Sequence, residues 1–473
     1  MKQLFSSAVA ALLIISISTH KVFAQEFIGL RTDNFSGSNG MLLNPASAIS
    51  GALPWDVNIV AGGFSAYNNY VYLQDANTFS AMSADSANLL FNEVSQLRAT
   101  ENAFLQLPSA FFKTGDFAFG FFITGRSAAS VMSDNYPPGI NTLQNIPMGV
   151  PTTLPKFDAV LINWMEVGFN AAMLLQELPQ GNIAVGTNVK VLGGFEGVQF
   201  HNNEELTFTK QQILTDVSNI DATYAFTENA GGGDFTSLKF NGWGLGTDLG
   251  IVYTLNSSRR KSYYADYDWK FSGSLVDLGF VHYGNNAGAY ALNSETNFDV
   301  LTADLDSISD LIEFNRTGSR VLYDASQASQ VDTKFTNSLP AAINLQADYN
   351  IGKGFFVNAM LTRRISFINE NMVARANTVY LAPRFESRFF GLTTPVSLYE
   401  DKYFHVGAAA RIFFLTIGSD DLLSWINKSE YNGTDFYAGI KINPVWLSGN
   451  KNDKKYKASK QLDCKGAINP NKF

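Results

Sequence analysis

Arg384, Glu386 and Arg388 recur at every second residue. In an extended chain that spacing puts all three on one face. An arginine–carboxylate–arginine ladder of this kind can neutralise itself across neighbouring strands. Arg364, Arg411 and Lys441 fall in the same phase of other alternating segments, as do Arg126, Lys190, Asp248, Asp277 and Asp348. Charges removed from water must be paired or hydrated, because an isolated one is strongly disfavoured. Two readings of this set stay open. One is a salt-bridge network that fills a closed interior, and the other is a polar pathway or ligand site.

Other chemistry is sparse. Beyond residue 24 the histidines are His201, His282 and His405. His282 lies near a strand end in Phe280-Val-His-Tyr283, and His405 shares a face with Gly407. A lipid hydrolase at a bilayer edge needs a serine–histidine pair oriented by Asn or Asp. No serine here is flanked as in a nucleophile elbow. Gly242-Trp-Gly-Leu-Gly246 has no helix pattern after it, so it reads as a strand with small inward residues rather than a phosphate loop. The one cysteine, Cys464, permits neither an intrachain disulfide nor a cysteine-based metal site. The expectation is a non-enzymatic chain with no cofactor and no metal. The alternative is an outer-membrane enzyme that modifies lipid.

The elements that position these residues show in the alternation of apolar and polar positions. Over 55–67, Trp55, Val57, Ile59 and Ala61 oppose Asp56 and Asn58. Phe117, Phe119, Phe121 and Ile123 oppose Ala118, Gly120, Thr124 and Arg126. The same pattern marks 183–193, 243–253, 341–349, 355–364, 379–388, 404–412 and 436–443, and more weakly 104–113, 164–175 and 268–278. That makes about twelve strands, or about fourteen if the connection 195–241 hides a hairpin. Connections alternate short (114–116, 178–182, 256–261, 351–354, 400–402) and long (68–101, 127–158, 195–241, 279–337, 419–434). Two long ones, 83–98 and 298–314, carry apolar residues at helical spacing.

The fold class expected is all-β: a transmembrane antiparallel up-and-down β-barrel of about 12–14 strands, with long extracellular loops and both termini periplasmic. No run of roughly 18 apolar residues offers a helical span. A charged content of 16% with 13% aromatic residues suits an outer face that meets lipid. The formal charge of −8 gives no basis for nucleic-acid binding. A basic start, an apolar run over 4–17 and Val22-Phe23-Ala24 read as a signal peptide, 1–24. Residues 25–54 follow as a plug segment, 55–446 as the barrel and 447–473 as a basic periplasmic tail. Within the plug, Gly40-Met-Leu-Leu-Asn-Pro-Ala-Ser-Ala-Ile-Ser-Gly51 reads as a short uncharged helix capped by Asn44. It is expected to pack inside against small residues such as Gly244, Gly246 and Gly407.

Four stretches carry a resemblance: Leu43-Asn44-Pro45-Ala46; Leu107-Pro-Ser109 leading into the hairpin over 111–123; 243–253 followed by Leu275-Val-Asp-Leu-Gly279; and Tyr380-Leu-Ala-Pro-Arg-Phe-Glu386 followed by Gly418-Ser-Asp-Asp-Leu422. Together they resemble an uncharacterised family of Bacteroidetes outer-membrane proteins. That family is similar in turn to FadL-type fatty acid transporters and PorV-type secretion barrels. The resemblance implies an outer-membrane location, a lumen hatch bearing the Asn44-Pro45-Ala46 motif, and contact with outer-membrane lipid. It also implies either transport of hydrophobic small molecules or partnership with a secretion-system protein.

Overall fold

The computed structural model describes residues 26–444, apart from 84–87, 141–142, 231–238, 257–264, 266, 309 and 366–370. The expected leader (1–24) and basic tail (447–473) lie outside the described residues.

Fourteen antiparallel wall strands form a closed transmembrane barrel. β1 is Trp55–Asn68, β2 joins Gln96–Gln106 to Ser109–Thr114, and β3 is Phe117–Asp134. β4 (Phe157–Leu178) and β5 (Gly181–Asn202) are long strands. β6 runs in two pieces, Ile220–Thr227 and Gly242–Leu255, and so does β7, Trp269–Tyr283 and Ala287–Ser294. β8 is Phe335–Ser338 with Ala342–Gly352, β9 is Phe355–Arg364 and β10 is Thr378–Glu386. β11 joins Phe390–Thr393 to Val396–Tyr399, and β12 joins Tyr403–Val406 to Ala408–Ile412. β13 is Leu415–Ser419 and β14 is Gly433–Ile442. β14 pairs with β1 from Ile442↔Val57 to Tyr67↔Gly433, which closes the sheet. Phe119, Phe169, Val189, Val191, Trp243 and Ile251 are exposed on the outward face, the apolar band that a bilayer requires.

The strands beyond the twelve alternating segments are β11 and β13, not a hairpin in 195–241. β11 is split at Thr394-Pro395 and β13 has 5 residues, so neither fills a ten-residue window of alternation. Residues 400–402 therefore turn at the end that carries the long loops, between β11 and β12. The connection 195–241 instead sends out a short hairpin, Leu206–Lys210 and Leu214–Val217, and returns as the first piece of β6. A register shift between Asn58 and Val60 moves the inward phase of β1 from even to odd positions. Ala61 is consequently 1% exposed inside the barrel, not outward with Val57 and Ile59.

At the loop end a cap is built from a second sheet of Pro151–Leu154, the 206–217 hairpin and Phe298–Leu301, with helices α1 (Thr302–Ser307) and α2 (Leu311–Tyr323). Asp310 caps α2 by accepting from Glu313 N at 2.8 Å. The helical spacing at 298–314 is thus realised after a first strand. At 83–98 no α-helix is present among the described residues: Leu89–Phe91 pairs with Val71–Ala76, and Gln96 opens β2. There the apolar side chains meet a sheet core, so their spacing does not report a helix. Phe157, Ala159 and Leu161 of β4 and Phe200 of β5 belong to the cap core. They alternate with Val160, Ile162 and Trp164, which pack in the lumen. The cap therefore sits on the outward side of the wall, where β4–β7 extend past the apolar band.

Candidate functional site

The N-terminal residues lie inside the ring of strands. A short helix, Ile28–Arg31, touches β11–β14; the turn Gly37–Leu42 touches β1 and β2; and Ser47–Ser50 touches β2 to β6. Helix Ser47–Ser50 is capped at Ala46, later than the sequence suggests. Asn44 Oδ1 instead closes a turn by accepting from Ala46 N at 2.9 Å, while Nδ2 donates to Ile251 O and Gly273 O at 3.3 and 3.2 Å. The seat for Pro45 and Ala46 is Gly186 of β5 and Gly250 of β6. A methyl on Gly186 would lie 2.6 Å from the Pro45 carbonyl carbon, and one on Gly250 would run into Asn44 Oδ1 and Pro45 Cδ. The expected seats are elsewhere. Gly244 backs onto Phe280 O, Gly246 lies beside Leu339, and Gly407 lies beside Ser419 and Asp420.

The inward charges form separate groups at different heights rather than one cluster. Asp277 accepts from Arg126 Nη1 and Nη2 at 2.6 and 2.9 Å, from Lys190 Nζ at 2.9 Å and from Arg375 Nη1 at 3.2 Å. Lys190 also lies 2.8 Å from Asp248, and Glu166 lies 3.6 Å from Arg126. In the second group Arg384 forks onto Asp348 at 2.6 and 2.7 Å and bonds Glu386. Arg411 Nε donates to Asp33 at 3.2 Å, Lys441 reaches Phe35 O and lies 4.0 Å from Asp56, and Arg364 forks onto Glu400 at 3.0 and 3.1 Å. Arg388 is placed differently. It lies in the turn after β10 with its guanidinium 4.9 Å over the Phe389 ring. A shared phase fixes the face of a side chain but not its height along the barrel axis, which tilt and register decide.

These groups also hold the N-terminal segment. Asn34 Nδ2 donates to Glu386 at 2.9 Å, Arg375 Nε donates to Glu26 at 3.0 Å, and Arg411 pairs with Asp33. Glu26, Asp33, Arg375 and Glu400 lie outside the alternating segments as read, whereas Lys270 lies within the weaker segment 268–278. Arg375 lies in the connection from β9 to β10, which folds inward so that Ala374 N donates to Ser130 Oγ at 2.9 Å. Glu166 was discoverable, because it shares the even, inward phase of Asn170 in 164–175.

Two recesses with largely apolar walls remain, the second of them bordered by Asp277 of the lumen. The cap encloses a cavity of about 800 Å³, mouth included, walled by Phe157, Phe200, Phe208, Leu292, Phe314 and Val321 among others, with Asn202 and Thr317 as polar exceptions. The second is a break in the wall between β7 and β8. Their ladder stops at Val276↔Ala342 and resumes at Phe280↔Ser338. Asp277 takes a left-handed backbone there, φ 58°, and Pro340 has no N–H to offer a ladder. Leu339 N still donates to Gly279 O at 3.0 Å, and Ala341 N to Leu339 O at 2.8 Å, so these donors are satisfied. The break opens a recess of about 800 Å³, mouth included, between Phe280, Thr336 and Leu339.

Of the histidines, His201 bonds Asp158 at 2.7 Å, and His282 bonds Thr336 at 2.9 Å. His405 pairs with Asp421 at 3.0 Å, with Ser397 as its cross-strand neighbour.

A sequence profile described as a family of unknown function (DUF5723) matches residues 45–420. No curated protein sequence matches the chain. Among solved structures, the toluene transporter TbuX of Ralstonia pickettii is similar at a TM-score of 0.40 and 10% identity, covering 93% of this chain and 98% of that one. A deletion mutant of the monoaromatic hydrocarbon channel TodX aligns at 0.39 and 10% identity, over 86% and 93% of the two chains. A Pseudomonas aeruginosa FadL homologue aligns at 0.24 and 8% identity, over 90% and 100%.

Proposed function

Because the chain belongs to the DUF5723 family of unknown function, we propose its role from its own geometry: an outer-membrane carrier of hydrophobic small molecules. The cap cavity is the observation that carries this reading. Ligand sites are concave and mostly apolar with a few polar groups to orient the guest. The cavity in the cap has that shape and that lining. In this reading residues 26–54 are a plug, and the paired charges of the lumen hold it in place. In this reading that packing blocks the course of a polar solute. A hydrophobic one leaves instead through the break between β7 and β8, whose recess faces the apolar band. β7 links the two features, since Leu292 lines the cavity and Phe280 the recess.

A fluorescent fatty-acid analogue titrated into the detergent-solubilised protein tests the reading. Saturable binding, displaced by the unlabelled acid, is expected. Phe208→Glu puts a carboxylate in the apolar wall, and affinity should fall at least tenfold. An affinity unchanged in that variant would contradict the cap cavity as the site.

A further inference from the structure

A second recess lies inside the barrel at the loop end, unrelated to the apolar cavity. It has about 340 Å³, mouth included, and is lined by Tyr67, Tyr399, Ser397, His405, Asp420 and Asp421 among others. Strand pairing explains the gathering. Ser397 and His405 are cross-strand partners on β11 and β12, as are Tyr399 and Tyr403, so all four side chains share the inward face. Tyr67 arrives from the end of β1, with its ring 4.4 Å from Tyr399, 5.1 Å from Tyr403 and 5.6 Å from His405.

The acids here differ from those lower in the lumen. Asp248, Asp277 and Asp348 each have a lysine or arginine. Among the described residues, no lysine or arginine comes within ion-pair distance of Asp420, Asp421 or Asp435. Asp420 accepts from Ile28 N at 3.0 Å and Tyr437 Oη at 2.9 Å, and Asp435 accepts from Asp421 N at 2.7 Å. Asp421 pairs with His405 at 3.0 Å. When His405 Nδ1–H donates to Asp421, Nε2 carries a free lone pair. That nitrogen is buried and has no hydrogen-bond partner.

We propose that this recess binds a small organic ammonium ion. Aromatic faces attract a cation through the ring quadrupole. The guest would bring the positive charge that no lysine or arginine among the described residues brings to these acids, and Nε2 is an acceptor for an ammonium N–H. The nearby lysine illustrates the chemistry, since Lys402 Nζ at the rim lies 5.2 Å over the Tyr403 ring. The recess is small, which limits the guest to about the size of methylammonium. Among the described residues no group of three His, Cys, Asp or Glu is arranged to hold a metal ion, which favours the organic cation.

Calorimetric titration of the full-length protein with methylammonium chloride, against sodium chloride at equal ionic strength, tests the proposal. Saturable binding of methylammonium is expected, at least tenfold weaker in Asp421→Asn and in Tyr403→Leu. Ethanol, neutral and of similar size, should give no saturable heat. Each variant is first checked for the compact, heat-modifiable band of a folded barrel on a gel. Tyr403 is partly exposed, so its variant keeps the test available if Asp421→Asn does not fold. No saturable binding of methylammonium would overturn the proposal, as would equal binding of ethanol or unchanged affinity in a folded variant.

Discussion

Arg384 is held in a planar fork by Asp348, with Glu386 as a further partner, and all three are buried. Two acids share one arginine, so removing it leaves Asp348 with Lys270 at 3.8 Å and Glu386 with the neutral donors of Asn34. Arg384→Met should cost about 3–5 kcal/mol, the range for breaking a buried ion pair by deleting one partner. The loss would appear as a lower urea midpoint for the folded band on gels. Arg388→Met, at the half-buried turn over Phe389, should lower that midpoint by less. Equal losses would show that the ladder acts as one unit after all. The inward face of these residues was legible in the sequence, since alternation fixes phase. Their partners were not. Asp348 and Arg384 lie on strands two apart around the barrel, and only register and tilt bring them to one height. Arg375 and Glu26 left no periodic signal because neither is on a strand.

At the scale of elements, the N-terminal segment and its seat decide whether the lumen is filled. Gly250→Val would drive a side chain into Asn44 and Pro45, and the segment has no slack there. We expect the variant to admit protease cleavage within 26–54 at least tenfold faster than the native chain, measured by mass spectrometry of timed digests. Gly125→Ala has open space for its methyl and should leave cleavage unchanged. Long strands such as β4 and β5 were readable because alternation persists over many residues. β11 and β13 escaped because a proline break and a short span leave too few positions to show a period. The inward placement of an uncharged Asn-Pro-Ala segment could be anticipated from its polarity. Its seat could not, because many inward glycines are equivalent in sequence and only packing distinguishes Gly186 and Gly250 from Gly244.

For the whole molecule, the account joins three features: a lumen filled by a tied-down segment, an apolar cavity on the outward side of the wall, and a break between β7 and β8. None of the apolar features was legible beforehand. The cap core is assembled from pieces far apart in the chain, and the break depends on one left-handed residue facing one proline. Filling the recess separates capture from passage. Leu339 lines it and is fully buried, so Leu339→Trp should obstruct the break while leaving the cap intact. The most direct test is uptake of a radiolabelled fatty acid by cells that lack their own carrier and express this protein. The account predicts saturable uptake above the empty-vector level, lost in Phe208→Glu together with binding. In Leu339→Trp it predicts at least tenfold slower uptake with binding to the purified protein unchanged. Uptake no faster than in the empty-vector cells, with the native protein folded and inserted, would contradict it.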